Sequence, residues 1–543
     1  MTKDINKQPF VIKTKALIDE LKAVCASYGL GNDGNEFKII SQIFLYKFLN
    51  DKFAHEIKKI KPELSKVEHW ENELAKIEES AYQMLRYQMS DSTAFLLPHQ
   101  LIPNLFERQN EPDFAKTVDD TLMDIAATNN DLFAVKTEDG QKIRLFDRIT
   151  EFVSSKRDAF AKALFNKLVI FNFENIMGEG FDFFSTIFEY LIKDYNSDAG
   201  GKYAEYYTPH AVSKIIANIL VPEPVSNKTI YDPSAGSGTL LMNLAHAIGN
   251  DKCTVYSQDI SQKSSNLLRL NLVLNNLVHS IENVIQGNTL TDPYHKKDGE
   301  LRKFDYIVSN PPFKLNFEED VNALKKKENK DRFFAGVPNV PKKKKESMAI
   351  YTLFLQHIIH SLNATGKAAI VVPTGFITAQ SGIEKKIRQK LVDNKMLAGV
   401  VSMPSNIFAT TGTNVSIVFL DKENNEEVVL IDACKLGTTV KDDGNNQKTL
   451  LSEDEENQII KTFADKKELE DFSVLVKYEA IKAKNYSLSA GQYFEVKIEY
   501  IDISAEEFTA RVKGFESKID DLFAESKRLE KKITDGIKSL SYE

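Results

Sequence analysis

Four consecutive residues, Asn310-Pro311-Pro312-Phe313 (the NPPF segment), have the composition of a site for a planar ring that carries an exocyclic amine. The apolar run before them, Phe304–Ser309, predicts a buried strand that cannot continue through two prolines, because neither has an N–H. The Asn310 amide oxygen and the Pro311 carbonyl oxygen are then free to accept hydrogen bonds from an amine. The Phe313 ring can stack on the face of the bound ring. The ordinary alternative is a turn, since Asn-Pro is a common turn pair.

A glycine-rich segment, Asp232–Thr239 (the glycine loop), follows a short predicted strand and opens a predicted helix. In a doubly wound sheet this is where a nucleotide-like ligand binds, and the glycines let the backbone approach it closely. The spacing differs from that of dinucleotide-binding loops, and a Walker lysine is absent. The residues expected to line the cofactor site are Asp232, Gly236, Ser237, Gly238 and Thr239.

Two further polar positions follow the next predicted strands. Asp259 ends the second strand, the usual place for a carboxylate that accepts hydrogen bonds from ribose hydroxyls. The alternative for Asp259 is a helix N-cap before Ser261. Asn288 follows the third strand and can contact an adenine amino group. Because parallel strands place their carboxyl ends at one edge of a sheet, we expect these loops and the NPPF segment to line one crevice.

The pattern of the chain around these segments predicts an α/β fold. From Lys228 to Leu420 short apolar runs alternate with helical patterns, which predicts a mostly parallel sheet covered on both faces. The last two strands have no helix between them, so we expect an antiparallel final hairpin. A further small strand pair is expected near Val428–Ile431.

A lysine-rich insertion with Lys325–Lys327 and Lys342–Lys345 follows the NPPF segment. Such runs are usually solvated loops, but here they can also meet phosphates.

The rest of the chain predicts two flanking parts. Residues 1–170 have helical spacing and predict a helical N-terminal domain, followed by a catalytic domain over 171–475. Residues 476–543 form a C-terminal extension. Within it Ser504–Glu507 is a capping box, and a narrow apolar seam follows that predicts a coiled-coil helix for partner docking. Packing of that seam on its own domain is the alternative.

Thr208 and Pro209 predict a helix start, with Thr208 as N-cap.

Composition limits the possible classes of protein. With 543 residues, about three domains are expected. Three separated cysteines indicate neither a disulfide framework nor a zinc site, no His/Cys cluster suggests any other metal, and a reducing cytoplasm is the simplest location. No apolar run is long enough for a membrane span. The net charge of −8 is unusual for a protein that grips DNA alone, so a DNA substrate would require a basic face or a partner.

Together, the glycine loop, Asp259 and the NPPF segment resemble the class I S-adenosylmethionine-dependent amino-methyltransferases of DNA. The order of these motifs, the helical N-terminus and the coiled-coil C-terminus are similar to the modification subunit of type I restriction–modification systems. The resemblance adds Glu205, Tyr206, Tyr207, Thr208, Pro209 and His210 as the segment that holds the methionine part of the cofactor. Asn288 occupies a position where many members of the family have Asp. His210 occupies the position after Tyr-Thr-Pro, where Arg is often found in the family.

The resemblance implies transfer of a methyl group from S-adenosylmethionine to adenine N6 in double-stranded DNA, with no metal. Asn310, Pro311, Pro312 and Phe313 are the implied catalytic residues. The implied partners are DNA, a specificity subunit in a ratio of two methyltransferase subunits to one, and a restriction subunit in the full complex. No membrane is implied, and the expected location is a bacterial or archaeal cytoplasm, on the nucleoid when bound to DNA.

Several alternatives stay open at this point. A stand-alone adenine-N6 or cytosine-N4 methyltransferase has the same motifs, since both amines fit the NPPF segment, but should carry its own recognition domain. Methyltransferases of protein glutamine or of RNA bases also contain Asn-Pro-Pro segments. A non-catalytic subunit that binds DNA for assembly, with a cofactor that only stabilises it, is disfavoured by the intact NPPF segment.

Overall fold

The computed structural model describes residues 8–31, 34–174, 177, 186–188, 190–191, 208–408, 414–424, 426–441, 447–494 and 503–538. The chain divides into two compact units, Met1–Tyr493 and Phe494–Glu543. The first unit contains the sheet and the helices that cover it. The second contains one long helix.

Eleven of the described strands form a single sheet. They are β1 (Val135–Thr137), β2 (Lys142–Ile143), β3 (Lys228–Asp232), β4 (Cys253–Asp259), β5 (Val284–Gln286), β6 (Phe304–Ser309), β7 (Leu362–Pro373), β8 (Leu397–Ser402), β9 (Val415–Asp421), β10 (Glu427–Asp432) and β11 (Ser473–Lys477). Their order across the sheet is β11-β10-β8-β9-β7-β6-β3-β4-β5-β1-β2. The strands from β7 to β1 in this order run parallel, which brings the carboxyl ends of β3, β4, β5 and β6 to one edge.

The predicted antiparallel hairpin is present, and the sheet continues beyond it. β9 lies between β7 and β8 and is antiparallel to both. β10 then pairs parallel to β8, and β11 pairs antiparallel to β10. The strand expected near Val428–Ile431 is present, but it is β10 of the main sheet and not a member of a small pair. A separate two-stranded antiparallel pair follows it, Thr438–Lys441 with Gln447–Leu450. Six of the seven residues of β9 are buried, as expected for a strand with helices on both faces.

Eighteen α-helices occur in the described residues. In the first unit they are α1 (Gln8–Ser27), α2 (Gly34–Ile60), α3 (Trp70–Leu74), α4 (Glu79–Arg86), α5 (Ile102–Glu107), α6 (Phe114–Thr128), α7 (Asn130–Phe133), α8 (Arg157–Leu168), α9 (His210–Leu220), α10 (Thr239–Ile248), α11 (Gln262–Leu274), α12 (Val321–Leu324), α13 (Tyr351–Ser361), α14 (Gly375–Thr378), α15 (Gly382–Asp393), α16 (Glu453–Ala464) and α17 (Tyr478–Ala483). None of the described helices has the length and apolar character that a bilayer crossing needs.

The N-terminal helical region shares its core with the sheet. One cluster of buried apolar side chains runs from Leu17 in α1 to Ile459 in α16. Arg269 of α11 is 3% exposed, and its guanidinium donates to the backbone carbonyls of Phe133, Arg144 and Leu145. Because a buried guanidinium needs such acceptors, this contact fixes the β1–β2 region against α11. β1 and β2 were not predicted, because this region has helical spacing in the sequence.

The second unit is described over residues 503–538. Its helix, α18, spans Ala505–Lys538 and has no buried residue. Ser504 and Glu507 form the predicted capping box, with the Glu507 backbone N–H donating to Ser504 Oγ at 3.1 Å and the Ser504 N–H donating to Glu507 Oε2 at 3.3 Å. The boundaries predicted at residues 170 and 475 stay predictions.

Candidate active site

The NPPF segment follows β6 at the carboxyl edge of the sheet. Asn310 Nδ2 donates a hydrogen bond to Thr208 Oγ1 at 3.2 Å, which orients the amide. Within the described ranges, no donor lies on Asn310 Oδ1 or on the Pro311 carbonyl oxygen. The segment therefore presents the two acceptors that the sequence predicts for an exocyclic amine.

An aromatic row supports the Phe313 ring. The rings of Phe313 and Tyr351 meet edge to face, with centroids 6.2 Å apart and an interplanar angle of 73°. Tyr351 makes the same type of contact with Phe376 on its other side, and its hydroxyl donates to Glu384 Oε1 at 3.4 Å. Burial raises the pKa of Tyr351, so its hydroxyl stays protonated. Tyr351 and Phe376 were not predicted as site residues, since they lie 38 and 63 residues after Phe313 and share no motif with it.

The glycine loop joins β3 to α10. Gly236 and Gly238 have φ angles of 53° and 82°, a region that favours glycine. A Cβ at Gly238 would overlap the Leu268 side chain of α11, so the loop also lies close to the neighbouring helix. Ser237 Oγ and Thr239 Oγ1 lie 3.1 Å apart at the start of α10.

Hydrogen bonds between side chains and backbone join the loops at the carboxyl edge. Ser234 Oγ of the glycine loop lies 2.7 Å from Ser309 Oγ at the end of β6. The Gly236 N–H donates to Asp259 Oδ2 at 2.9 Å, and Thr289 Oγ1 donates to the Pro233 carbonyl at 2.7 Å. The three loops and the end of β6 therefore lie together, as the parallel topology requires.

Asp232 and Asp259 are the two buried acids of this edge. Asp232 is 2% exposed and accepts a hydrogen bond from the Ser234 N–H at 2.9 Å. Burial raises the pKa of Asp232 to about 7, and the nearby Asp259 adds to the shift. Burial also raises the pKa of Asp259. A positively charged group of a bound ligand would stabilise the ionised form of these carboxylates, because an opposite charge favours that form.

Asp259 is not the N-cap of α11, so that alternative is wrong, but its carboxylate binds the backbone just before the helix. Its Oδ1 accepts from the Ser261 N–H at 2.8 Å, and Ser261 itself is the N-cap of α11, accepting from the Ser264 N–H. Asp259 thus connects the start of α11 to the glycine loop. Its predicted contact with ribose hydroxyls stays a prediction.

Asn288 lies in a more polar setting than the sequence suggested. Its Nδ2 donates to Asp320 Oδ2 at 3.3 Å, and its Oδ1 accepts from the Leu290 N–H at 3.1 Å. Its backbone N–H donates to Glu138 Oε2 at 2.8 Å, from the turn between β1 and β2. Glu138 and Asp320 are neighbours of the site that the sequence analysis missed, and the predicted contact between Asn288 and adenine stays a prediction.

The segment before α9 is described only in part. Glu205, Tyr206 and Tyr207 lie outside the described residues. Thr208 is buried and bonded to Asn310, while Pro209 is the N-cap residue of α9 and His210 its first residue. The predicted N-cap role of Thr208 is wrong, because its hydroxyl accepts from the Asn310 amide.

A small cavity connects the glycine loop with the NPPF segment. It has a volume of about 10 Å³, and its lining includes Thr208, Asp232, Ser237 and Asn310. A nucleoside would need these side chains to separate. The residues nevertheless suit S-adenosylmethionine, since buried carboxylates can accept its cationic groups and the glycine loop allows close approach.

Two other features lie away from this edge. A cavity of about 570 Å³ lies between α2 and the carboxyl ends of α10 and α11, with Lys52, His246 and Asn276 in its wall. Burial lowers the pKa of Lys52 to about 8. Where the structure describes the chain, one group of three possible metal ligands occurs, formed by His69, Glu71 and Glu107 in the helical region.

Comparisons with known proteins identify the family. The profile of the N-6 DNA Methylase family matches residues 179–500, which is more than half of the chain. The type I restriction enzyme MpnII methylase subunit of Mycoplasma pneumoniae is 27% identical over 469 residues, covering 82% of each chain. The MjaIX methylase subunit of Methanocaldococcus jannaschii is 25% identical over 378 residues, covering 66% of this chain and 64% of its own.

A solved structure shows the same fold. The type I restriction-modification system methyltransferase subunit from Streptococcus thermophilus superimposes with a TM-score of 0.71 at 22% identity, covering 90% of this chain and 100% of its own. Its fold agrees with the α/β architecture predicted from the alternating strands and helices. With the profile match over more than half of its length, the chain belongs to the N-6 DNA methylase family.

Proposed function

We propose that this chain methylates N6 of adenine in double-stranded DNA with S-adenosylmethionine as methyl donor, as the modification subunit of a type I restriction–modification complex. The observation that carries the proposal is the pair of acceptors, Asn310 Oδ1 and the Pro311 carbonyl, which meet no donor among the described residues. Thr208 joins them to the crevice of the glycine loop. The family match and the type I relatives support it.

The NPPF segment would activate the amine by orienting it. The lone pair of the adenine amine is delocalised into the ring, which makes the amine a poor nucleophile. Hydrogen bonds from its two N–H groups to Asn310 Oδ1 and the Pro311 carbonyl hold the nitrogen in one orientation and localise the lone pair. Pro312 keeps the segment rigid, and Phe313 stacks on the base after it has left the duplex.

The cofactor would occupy the crevice of the glycine loop. S-Adenosylmethionine, when bound, supplies a methyl group that is activated because its sulfonium leaves as a neutral thioether. Asp232 and the loop residues Gly236, Ser237, Gly238 and Thr239 would hold its methionine part. Asp259 would accept from the ribose, and Asn288 would lie at the adenine. The segment Glu205–His210 would close the methionine end.

The long helix α18 is the proposed docking element for a specificity subunit. Its exposed apolar side chains recur at the spacing of a coiled-coil seam. The seam consists of Phe508, Val512, Phe515, Ile519, Leu522, Leu529 and Ile533; Phe523 and Ile537 are also exposed but lie outside its spacing. An exposed apolar stripe of this length needs a partner surface. Two such chains would join one specificity subunit, and a restriction subunit would complete the complex, in the cytoplasm and on the nucleoid.

Nucleoside analysis separates this function from its alternatives. DNA is incubated with labelled S-adenosylmethionine and the chain, with and without its specificity subunit, then digested and analysed by mass spectrometry. We expect N6-methyldeoxyadenosine only when both subunits are present. N4-methyldeoxycytidine would indicate the other amine, product from the chain alone would indicate a stand-alone enzyme, and labelled protein or RNA would indicate another substrate class. No product from any substrate would indicate an assembly subunit.

A further inference from the structure

The lysine-rich insertion has a charge opposite to that of the whole chain. Residues 314–347 contain ten Lys and Arg residues against six Asp and Glu residues, a net charge of +4, whereas the complete chain has −8. The insertion begins directly after Phe313. A positive segment therefore adjoins the proposed base-binding residues of an acidic protein.

The insertion is folded and is fixed beside the NPPF segment. A separate hydrophobic cluster holds it against α13; its members are Leu290, Phe317, Val321, Leu324, Phe333, Met348, Ile350, Leu353 and Phe354. The Leu315 N–H donates to the Met348 carbonyl at 3.1 Å, so the two ends of the insertion meet two residues beyond Phe313. A merely solvated loop would not need this core.

Most lysines of the insertion have no acidic partner. Lys345 pairs with Glu318 at 2.5 Å. The other lysines are exposed and form no ion pair with any residue in the described part of the chain; they are Lys314, Lys325, Lys326, Lys327, Lys330, Lys342, Lys343 and Lys344. Adjacent like charges repel each other, and an anionic partner removes that repulsion.

The insertion also contacts the loop after β5. Arg332 is 3% exposed, and its Nη2 donates to the Leu290 carbonyl at 2.5 Å and to Asn329 Oδ1 at 2.9 Å. Asp320 accepts from Asn288 Nδ2 at 3.3 Å. Both ends of the Asn288–Leu290 loop are therefore bonded to the insertion, which fixes it relative to the crevice.

We propose that the insertion 314–347 is a phosphate-binding surface for the DNA that flanks the target adenine. This inference rests on the proposed function. Exposed lysines bind phosphates through charge, without reading sequence, and release counterions when they do so. A fixed positive surface next to the NPPF segment would hold the backbone on either side of the flipped base. It would also explain how an acidic chain holds DNA.

The test compares two charge variants with a matched control in the full complex with the specificity subunit. Lys326→Gln/Lys327→Gln and Lys342→Gln/Lys343→Gln each remove two charges from the insertion. The control Lys252→Gln/Lys395→Gln removes two exposed lysines that lie one residue before β4 and two residues before β8, at the amino edge of the sheet. DNA affinity is measured against salt concentration for a cognate and a non-cognate duplex, together with cofactor affinity and methylation.

We expect each insertion variant to weaken binding of both duplexes about tenfold and to reduce the slope of log affinity against log salt by about 1 to 2, since each lost phosphate contact removes about 0.9. Cofactor affinity and the preference for the cognate duplex should not change. An insertion variant with the slope of the control would overturn the proposal. Unchanged DNA binding with loss of assembly would overturn it in favour of an acidic protein partner.

This comparison is independent of the chemistry assigned to the NPPF segment. A wild-type complex that binds DNA but forms no N6-methyldeoxyadenosine would contradict the proposed function, whatever the slopes are. A wild-type complex that methylates DNA, with all variants equal in salt dependence, would contradict the phosphate surface alone.

Discussion

Asp232 is a buried residue of this site whose charge depends on pH near neutrality. Its pKa of about 7 lies above the ordinary value of 3.8, because burial disfavours the carboxylate. The folded chain therefore binds more protons than the unfolded chain between about pH 4 and 7, and the contribution of Asp232 to stability falls as pH rises through this window. The groups that face it are Ser234, Ser309 and Asp259.

Cofactor affinity should follow the ionisation of Asp232. S-Adenosylmethionine carries an ammonium and a sulfonium, so it should bind best to the ionised form. We expect its affinity, measured by calorimetry, to rise as pH increases through about 7, the pKa of Asp232, until the α-ammonium of the cofactor loses its own proton at about pH 8. Asp232→Asn should bind more weakly, with a much flatter pH profile. Equal pH dependence in the wild type and in Asp232→Asn would refute this role.

Phe313 should contribute through stacking on the extruded base. Stacking of a base on an aromatic ring is worth about 1–3 kcal/mol. Phe313→Leu should therefore lower kcat/KM for a paired target adenine by about 5- to 150-fold. A duplex with a mismatch opposite that adenine should recover part of the loss, because less free energy is then needed for extrusion. An equal loss on paired and mismatched duplexes would argue against stacking.

At the residue scale, the acceptors of the NPPF segment and the acids of the crevice could be predicted because each belongs to a local motif. Their partners could not. Thr208 and Asn310 are in contact although they lie 102 positions apart. The Thr208 hydroxyl accepts from the Asn310 amide and does not cap the helix. Glu138 and Tyr351 also reach the site from distant segments.

The glycine loop is the element that lies directly against α11. Gly238→Ala should destabilise the protein by at least about 2 kcal/mol, because it adds a left-handed backbone penalty of about 1–2 kcal/mol to an overlap with Leu268. Gly140→Ala is the matched control, since Gly140 has a φ of 84° in open space. Denaturant unfolding measures both variants, and an equal loss in the two would show that the overlap is unimportant.

Elements were predictable where the pattern was long enough. The strands from β3 to β9 follow from apolar runs, most of which are separated by helical patterns. β1 and β2 have three and two residues, too few for any alternation to appear. β10 has the apolar pattern of an ordinary short strand. That pattern does not show which strand β10 pairs with, so its parallel pairing with β8 could not be predicted.

At the scale of the whole molecule, α18 is the feature for which we propose a docking role. Phe515→Ser/Leu522→Ser should prevent co-purification with the specificity subunit while leaving cofactor affinity unchanged. Lys513→Ser/Lys531→Ser, on the opposite face of the helix, is the control and should assemble normally. Deletion of the residues after Ile503 should act like the seam variant.

Normal assembly of the truncated chain would contradict the docking role of α18. Loss of cofactor binding after truncation would show instead that the second unit supports the first.

The sequence predicted this helix well, since its seam and its capping box are local. The shared core of the N-terminal helices and the sheet was not predicted, because it arises from contacts such as those of the buried Arg269.

The most direct test of the whole account is Asn310→Ala, with Asn218→Ala on the exposed face of α9 as control. N6-methyldeoxyadenosine is quantified by mass spectrometry after incubation of each variant complex with DNA, and cofactor affinity is measured on the same preparations. We predict that Asn310→Ala forms no detectable product while its cofactor affinity stays within a few-fold of wild type, and that Asn218→Ala is fully active. Substantial N6-methyldeoxyadenosine from Asn310→Ala would contradict the central claim.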